Sequence, residues 1–216
     1  PIAYVKRATT LRINPTDGTN SAAGGDLMLR EKSSPSATEH NLTARFTQGA
    51  GDASDPEVSY DGKRIVFAMR CPASNTSTVD GTANGEKACT GRWNIWQYEI
   101  TGSQLAQGTF KRLTASTADD DVDPVYLPAN KGIVFSSNRQ AVERMDADGR
   151  NRQKVEDVNS FYARFSPDGK QIAWVEGRDK PAVFIKNFPA GEPKAVFSQK
   201  EYEAWYATQF YCVPCS

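Results

Sequence analysis

The chain has 216 residues, 38% of them hydrophobic and 24% charged, a composition that supports a buried core and excludes disorder. Lys plus Arg and Asp plus Glu stand at 26 each, so no net field draws the protein to nucleic acid or an anionic membrane. Its apolar runs are only a few residues long, which excludes a bilayer-spanning helix. The chain opens on Pro1 without a signal peptide, and a processed product whose targeting segment has been removed is expected.

In chain order, Ile2-Ala3-Tyr4 reads as a strand and HNLTA at 40–44 as a short terminal strand. DPEVSYDGKRIVF at 55–67 is a strand, a turn and a second strand, followed by NIWQYEI at 94–100 and KRLTA at 111–115. The arrangement returns as DPVYLPANKGIVF at 123–135 with QKV at 153–155, and again as ARFSPDGKQIAW at 163–174 with AVFIKNF at 182–188 and KAVF at 194–197. In the last copy Pro167 presets φ at a corner, Asp168 bonds its own backbone and Gly169 takes the positive φ, which makes a hairpin turn.

The copies align without gaps, with Ile65, Ile133 and Ile172 in one column and Phe67, Phe135 and Trp174 in another. Asp55-Pro56 and Asp123-Pro124 coincide upstream, while the third copy has Tyr162-Ala163 there. Units of four short strands joined by Gly, Pro and Asp turns predict an all-β fold, a β-propeller of four-stranded antiparallel blades. A single domain over 1–216 divides into blades at 1–46 plus 202–211, 47–114, 115–157 and 158–201. The first unit lacks its own first strand, and YEAWYATQF at 202–210 is expected to pair beside residues 2–6 and close the ring. The alternative is an open part of a larger propeller.

The DP-x-x-S-x-DGK-x-IVF and FSPDGK-x-IAW units resemble the TolB-like family of β-propeller repeats over most of residues 47–200. More narrowly, PIAYVKR at 1–7, GGDLMLRE at 24–31, DPEVSYDGKRIVFAMR at 55–70, WNIWQYEI at 93–100 and GIVFSSNRQ at 132–140 resemble the propeller region of hydrazine-synthase-alpha-like proteins. Those are large exported bacterial proteins, several carrying c-type haems.

Four cysteines form two pairs. Cys71 and Cys89 bracket a stretch rich in Ser, Thr, Asn and Gly that is expected to project as a loop. A disulfide between them would restrict the denatured chain by about 3 kcal/mol and implies an oxidising compartment, whereas two reduced thiols imply the cytosol. Cys212 and Cys215 form a C-terminal CxxC, read first as a structural disulfide, with metal or interchain bonding left open. Haem attachment is not supported, because Ser216 stands where CxxCH has its His.

Asp119, Asp120, Asp121 and Asp123 supply oxygen ligands of the kind Ca²⁺ takes, although such runs more often form a solvated loop. No catalytic residue is assigned, since His40 is the one histidine, beside an outer strand, and no nucleophile or phosphate-binding motif is present. Trp93, Trp96, Arg139, Trp205 and Tyr206 are candidate partner contacts, being aromatic and Arg types that dominate interfaces, and Trp96 equally suits the gap between blades. Asn41 and Asn75 begin N-x-[ST] glycosylation patterns. The expectation is an exported scaffold that presents the 71–92 loop and blade-top residues to a partner protein in an extracellular or periplasmic complex or filament, with no chemistry of its own. The alternative is the propeller part of a hydrazine-synthase-like or multihaem oxidoreductase whose active centre lies outside this chain.

Overall fold

Turn chemistry divides the chain into hairpins. Ser59 Oγ donates to Asp61, whose carboxylate accepts from the Lys63 amide, with Gly62 at φ 70°. Ser166, Asp168, Gly169 and Lys170 repeat each feature, with Gly169 at φ 69°. Gly169 has a second reason to lack a side chain: a Cβ there would meet Pro128 Cγ at 2.9 Å, where the turns of successive blades pack together.

The computed structural model describes residues 1–7, 23–80, 85–139, 141–156, 160–176, 182–198 and 200–201. Four antiparallel sheets follow one another along the chain. The first contains β1 (Ile2–Lys6), β2 (Asp26–Arg30) and β3 (Glu39–Asn41), and is followed by α1 (Ala44–Thr47). The second contains β4 (Asp52–Val58), β5 (Arg64–Arg70), β6 (Trp93–Ile100) and β7 (Gly108–Arg112). The third contains β8 (Asp121–Tyr126), β9 (Ile133–Ser137), β10 (Ala141–Met145) and β11 (Gln153–Glu156). The fourth contains β12 (Ser160–Phe165), β13 (Gln171–Glu176), β14 (Ala182–Asn187) and β15 (Lys194–Phe197). These sheets are blades of a β-propeller. The expected closing strand at 202–211 lies outside the described residues.

Strand alternation explains how the blades stack. Ile65, Phe67 and Met69 of β5 face the first blade, where they pack with Leu27, Leu29, Phe46, Trp96 and Phe110. Val66 and Ala68 face the other way, into a layer with Trp93, Ile95, Tyr126, Ile133 and Phe135. Val134 of β9 then joins Val125, Val142, Ile172 and Trp174 in the next layer. Both faces of the middle strands are covered, so RIVFAMR and GIVFSS read as continuous apolar runs rather than alternating ones. The stretches that carry the hydrazine-synthase-like resemblance include β1, β2, β5, β6 and β9, and so are blade strands.

The 71–92 stretch departs from expectation. Its described residues lie down over the seam between the first two blades instead of projecting. A Cys71–Cys89 disulfide, with Cα atoms 5.2 Å apart, closes its base. Asn75 is 3% exposed and donates both amide hydrogens, to the carbonyls of Arg45 and Phe46. Asp80 accepts from the Phe110 amide and from Arg45, and Arg112 donates to the carbonyls of Lys87 and Ala88. Polar side chains hold this loop down because they satisfy backbone groups that the blade edge would otherwise leave open. Asn75 is therefore a structural amide, which corrects its reading as a glycosylation acceptor.

Candidate binding site at the inner strands

The Asp-Pro repeats mark β-bulges. Pairing shifts register between Ser54 and Glu57, between Val122 and Val125, and between Phe161 and Arg164. Asp55 sits at φ 50° and Asp123 at φ 53°, a left-handed conformation that Asp tolerates better than most residues. Each bulge lies on an edge strand, where Pro56 and Pro124 are admissible.

Strands β4, β8 and β12 approach one another at these bulges. Glu57 Oε1 on β4 accepts the Tyr126 amide of β8 at 3.2 Å. Asp123 Oδ1 on β8 accepts Arg164 Nη2 of β12 at 3.0 Å, and Arg164 Nη1 also donates to the Ala163 carbonyl. The result is three carboxylates, Asp55, Glu57 and Asp123, grouped around one guanidinium.

These carboxylates differ in what they meet. Asp123 has a side chain only 6% exposed, and its Oδ2 is buried without a hydrogen-bond partner. Burial, reinforced by the charges of Asp55 and Glu57 and opposed by Arg164, pushes its carboxyl up to about 6. Burial also raises Glu57. Asp55 is exposed and accepts from Ser54 Oγ. Chemically the arrangement is a negative cluster with one acidic group poised near neutrality, suited to holding a cation or moving a proton.

A second charged cluster lies at the start of β8, where each carboxylate meets a guanidinium although Asp121 Oδ2 is likewise buried without a hydrogen-bond partner. Arg139 donates to Asp119, Asp121 and Glu143, while Arg152 bridges Asp121 and Glu143 with its guanidinium 4.8 Å from the Phe135 ring centroid. Asp120 Oδ1 instead accepts the Trp93 amide at 3.0 Å. The four carboxylates considered for Ca²⁺ thus turn to different partners: Asp119 and Asp121 to Arg139, Asp120 to Trp93 and Asp123 to Arg164. Among the described residues, no three His, Cys, Asp or Glu side chains gather to hold a metal ion.

The remaining sequence candidates sort by burial. Trp93 and Trp96 are 3% and 1% exposed and fill the layers between blades, so neither offers a surface to a partner. Arg139 is committed to its three carboxylates. Trp205, Tyr206, Cys212 and Cys215 lie outside the described residues. His40 on β3 meets Glu31 at 3.0 Å and borders a groove of about 680 Å³ with Arg45, Asp80, Tyr98 and Phe110. The groove's Arg45 and Tyr98 are already engaged, by Asp80 and by the Leu105 carbonyl. Sequence reasoning passed over Asp55, Glu57 and Arg164. The available signal was an Asp-Pro repeated at one position of successive inner strands.

No protein-family model and no curated protein matches the chain. Solved structures do. TolB from Acinetobacter baumannii superposes with a TM-score of 0.52 at 18% identity, over 81% of this chain and 38% of that one. A chain of a nidogen/laminin complex gives 0.57 at 11% identity, over 82% of this chain and 60% of its own. A puromycin-hydrolyzing peptidase of Mycobacterium tuberculosis gives 0.54 at 12%, over 82% and 25%. The likeness is one of fold. This chain spans less than two thirds of each of these proteins, and no helix among its described residues is long and apolar enough to cross a membrane.

Proposed function

We propose that this chain is an exported β-propeller that serves as a binding scaffold, an accessory part of a periplasmic or extracellular protein complex, and that it meets its partner at the inner-strand face around Asp55, Glu57 and Asp123. The observation that carries this reading is Asp123: the fold keeps a buried carboxylate with one oxygen unpartnered beside two further anions. A structural role alone would favour an apolar or fully bonded residue there. The Cys71–Cys89 disulfide supports export, since such bonds persist in oxidising compartments. A similar fold in a chain of a nidogen/laminin complex supports a role in protein assembly.

Two exposed valines provide a matched test. Val58 ends β4 beside the site and is 47% exposed, while Val196 lies on the outer strand β15 at 51%. With a photo-crosslinking residue placed at one or the other in the cells that make the protein, a discrete protein adduct is expected from position 58. Adducts only from 196 would move the interface to the outer edge, and none from either would remove the scaffold role.

A further inference from the structure

The inner-strand carboxylates are under-compensated beside those of Glu39, Asp121 and Glu143. Glu39 on the first blade has three donors, and Asp121 and Glu143 each meet two guanidinium groups. At the bulges, one guanidinium serves three anions. Of the three anions Arg164 hydrogen-bonds only Asp123, and neither Asp55 nor Glu57 has an ion-pair partner among the described residues. Excess negative charge near a low-dielectric wall attracts a counter-ion more strongly than the same charges spread over an open surface.

The kind of cation follows from the geometry. No three of these side chains gather as metal ligands, so they would not by themselves supply the six or more oxygen ligands that Ca²⁺ takes. Arg164 shows what does fit: its planar group spans Asp123 Oδ1 and the Ala163 carbonyl at 3.0 and 2.9 Å. A second cation with several N–H donors can enter beside it against Asp55 and the free side of Glu57, drawing also on the field of Asp123.

We infer that the bulges of β4, β8 and β12 form a receptor for an ammonium or guanidinium group, supplied by a Lys or Arg side chain of a partner polypeptide. This deepens the scaffold reading and rests on it. Occupancy depends on pH, because the groups facing Asp123 are Arg164 from β12 and Asp55 and Glu57 from β4, and protonation of Asp123 removes one of three negative charges. A bound cation in turn favours the ionised form.

The test titrates the full chain with the peptide acetyl-Gly-Arg-Gly-amide, its citrulline counterpart and spermidine, following amide NMR positions of β4, β8 and β12 at pH 7.5 and 5. The arginine peptide is expected to bind at least tenfold more tightly than the citrulline one, and several-fold more weakly at pH 5. Asp55→Asn combined with Glu57→Gln is expected to weaken binding at least tenfold. Both changes suit their backbones, since Asn tolerates the left-handed conformation and Gln retains the acceptor for the Tyr126 amide. Equal binding of the citrulline peptide, or no shift with either peptide, overturns the inference. Tighter binding of spermidine overturns the partner polypeptide as the source. The crosslink at Val58 separates the two readings: an adduct that persists at full yield in the double variant leaves the scaffold standing without its cationic contact, whereas no adduct in the parent protein removes both.

Discussion

The seam between the first two blades and the inner strands of the second, third and fourth blades treat polar groups in opposite ways. At the seam, Phe46 is fully buried, with the ring centroids of Trp96 and Phe110 each 5.1 Å away, and Arg45 stacks 4.3 Å above it. The disulfide loop covers this cluster, and its buried Asn75 gives both amide hydrogens to carbonyls. At the inner strands, Asp123 keeps an oxygen with no donor. One region therefore maximises stability, while the other holds charge at the expense of stability. Asp52 and Asp121 also bury an oxygen without a donor, so what singles out Asp123 is the pair of anions beside it, Asp55 and Glu57, that have no cation of their own.

The largest expected effect falls on the seam. Phe46→Ala removes a ring that touches two others and the loop above it, and should destabilise the protein by about 3–5 kcal/mol in denaturant titration. If the seam is instead loosely packed, the loss will be below about 1 kcal/mol, and the contrast between the two regions disappears.

Asp123→Asn should act in the opposite direction. Its carboxyl lies near 6 in the folded protein, above its ordinary value of 3.8. The unfolded chain therefore ionises first as pH rises, so stability falls between about pH 4 and pH 6 and levels off above that. A rise of about two units corresponds to about 3 kcal/mol, the most that removing the charge can restore at neutral pH. Thermal unfolding across pH 4–8 should show Asp123→Asn more stable than the parent at pH 7, with a flattened profile below pH 6. A less stable variant at pH 7 would mean that the Arg164 pair is a structural bond.

The sequence made the blade architecture legible because turns and strand periodicity are local. Ser-x-Asp-Gly-Lys encodes its own hydrogen bonds, and the Ile and Phe columns recover the stacking faces without tertiary information. The site was less legible, because charge compensation is a property of three strands together. Asp123 was seen among neighbouring acids as a metal ligand, although Asp119 and Asp121 turn to Arg139 while Asp123 turns to β12. The bulge separates them, and a bulge does not appear in composition. The 71–92 loop misled for a related reason: its polar residues face backbone groups of neighbouring strands rather than water.

The smallest effect sharpens the contrast most directly, because it concerns a carboxylate of the opposite kind. Glu39 accepts from Lys6, Tyr4 and Arg30, and these donors hold its carboxyl down at about 2. Its folded value lies below the unfolded one, so whatever it contributes is present above about pH 4.5 and is lost as pH falls toward 2. Lys6 is 62% exposed, so solvent and salt screen the pair, and Glu39→Gln should shift the melting temperature only slightly at neutral pH, with no shift in high salt. The side-chain carboxyl NMR signal of Glu39 should titrate near pH 2, far below that of Asp123 near pH 6. Coinciding titrations would erase the distinction between a compensated and an under-compensated carboxylate, and with it the reason for placing the ligand at the bulges rather than on the first blade.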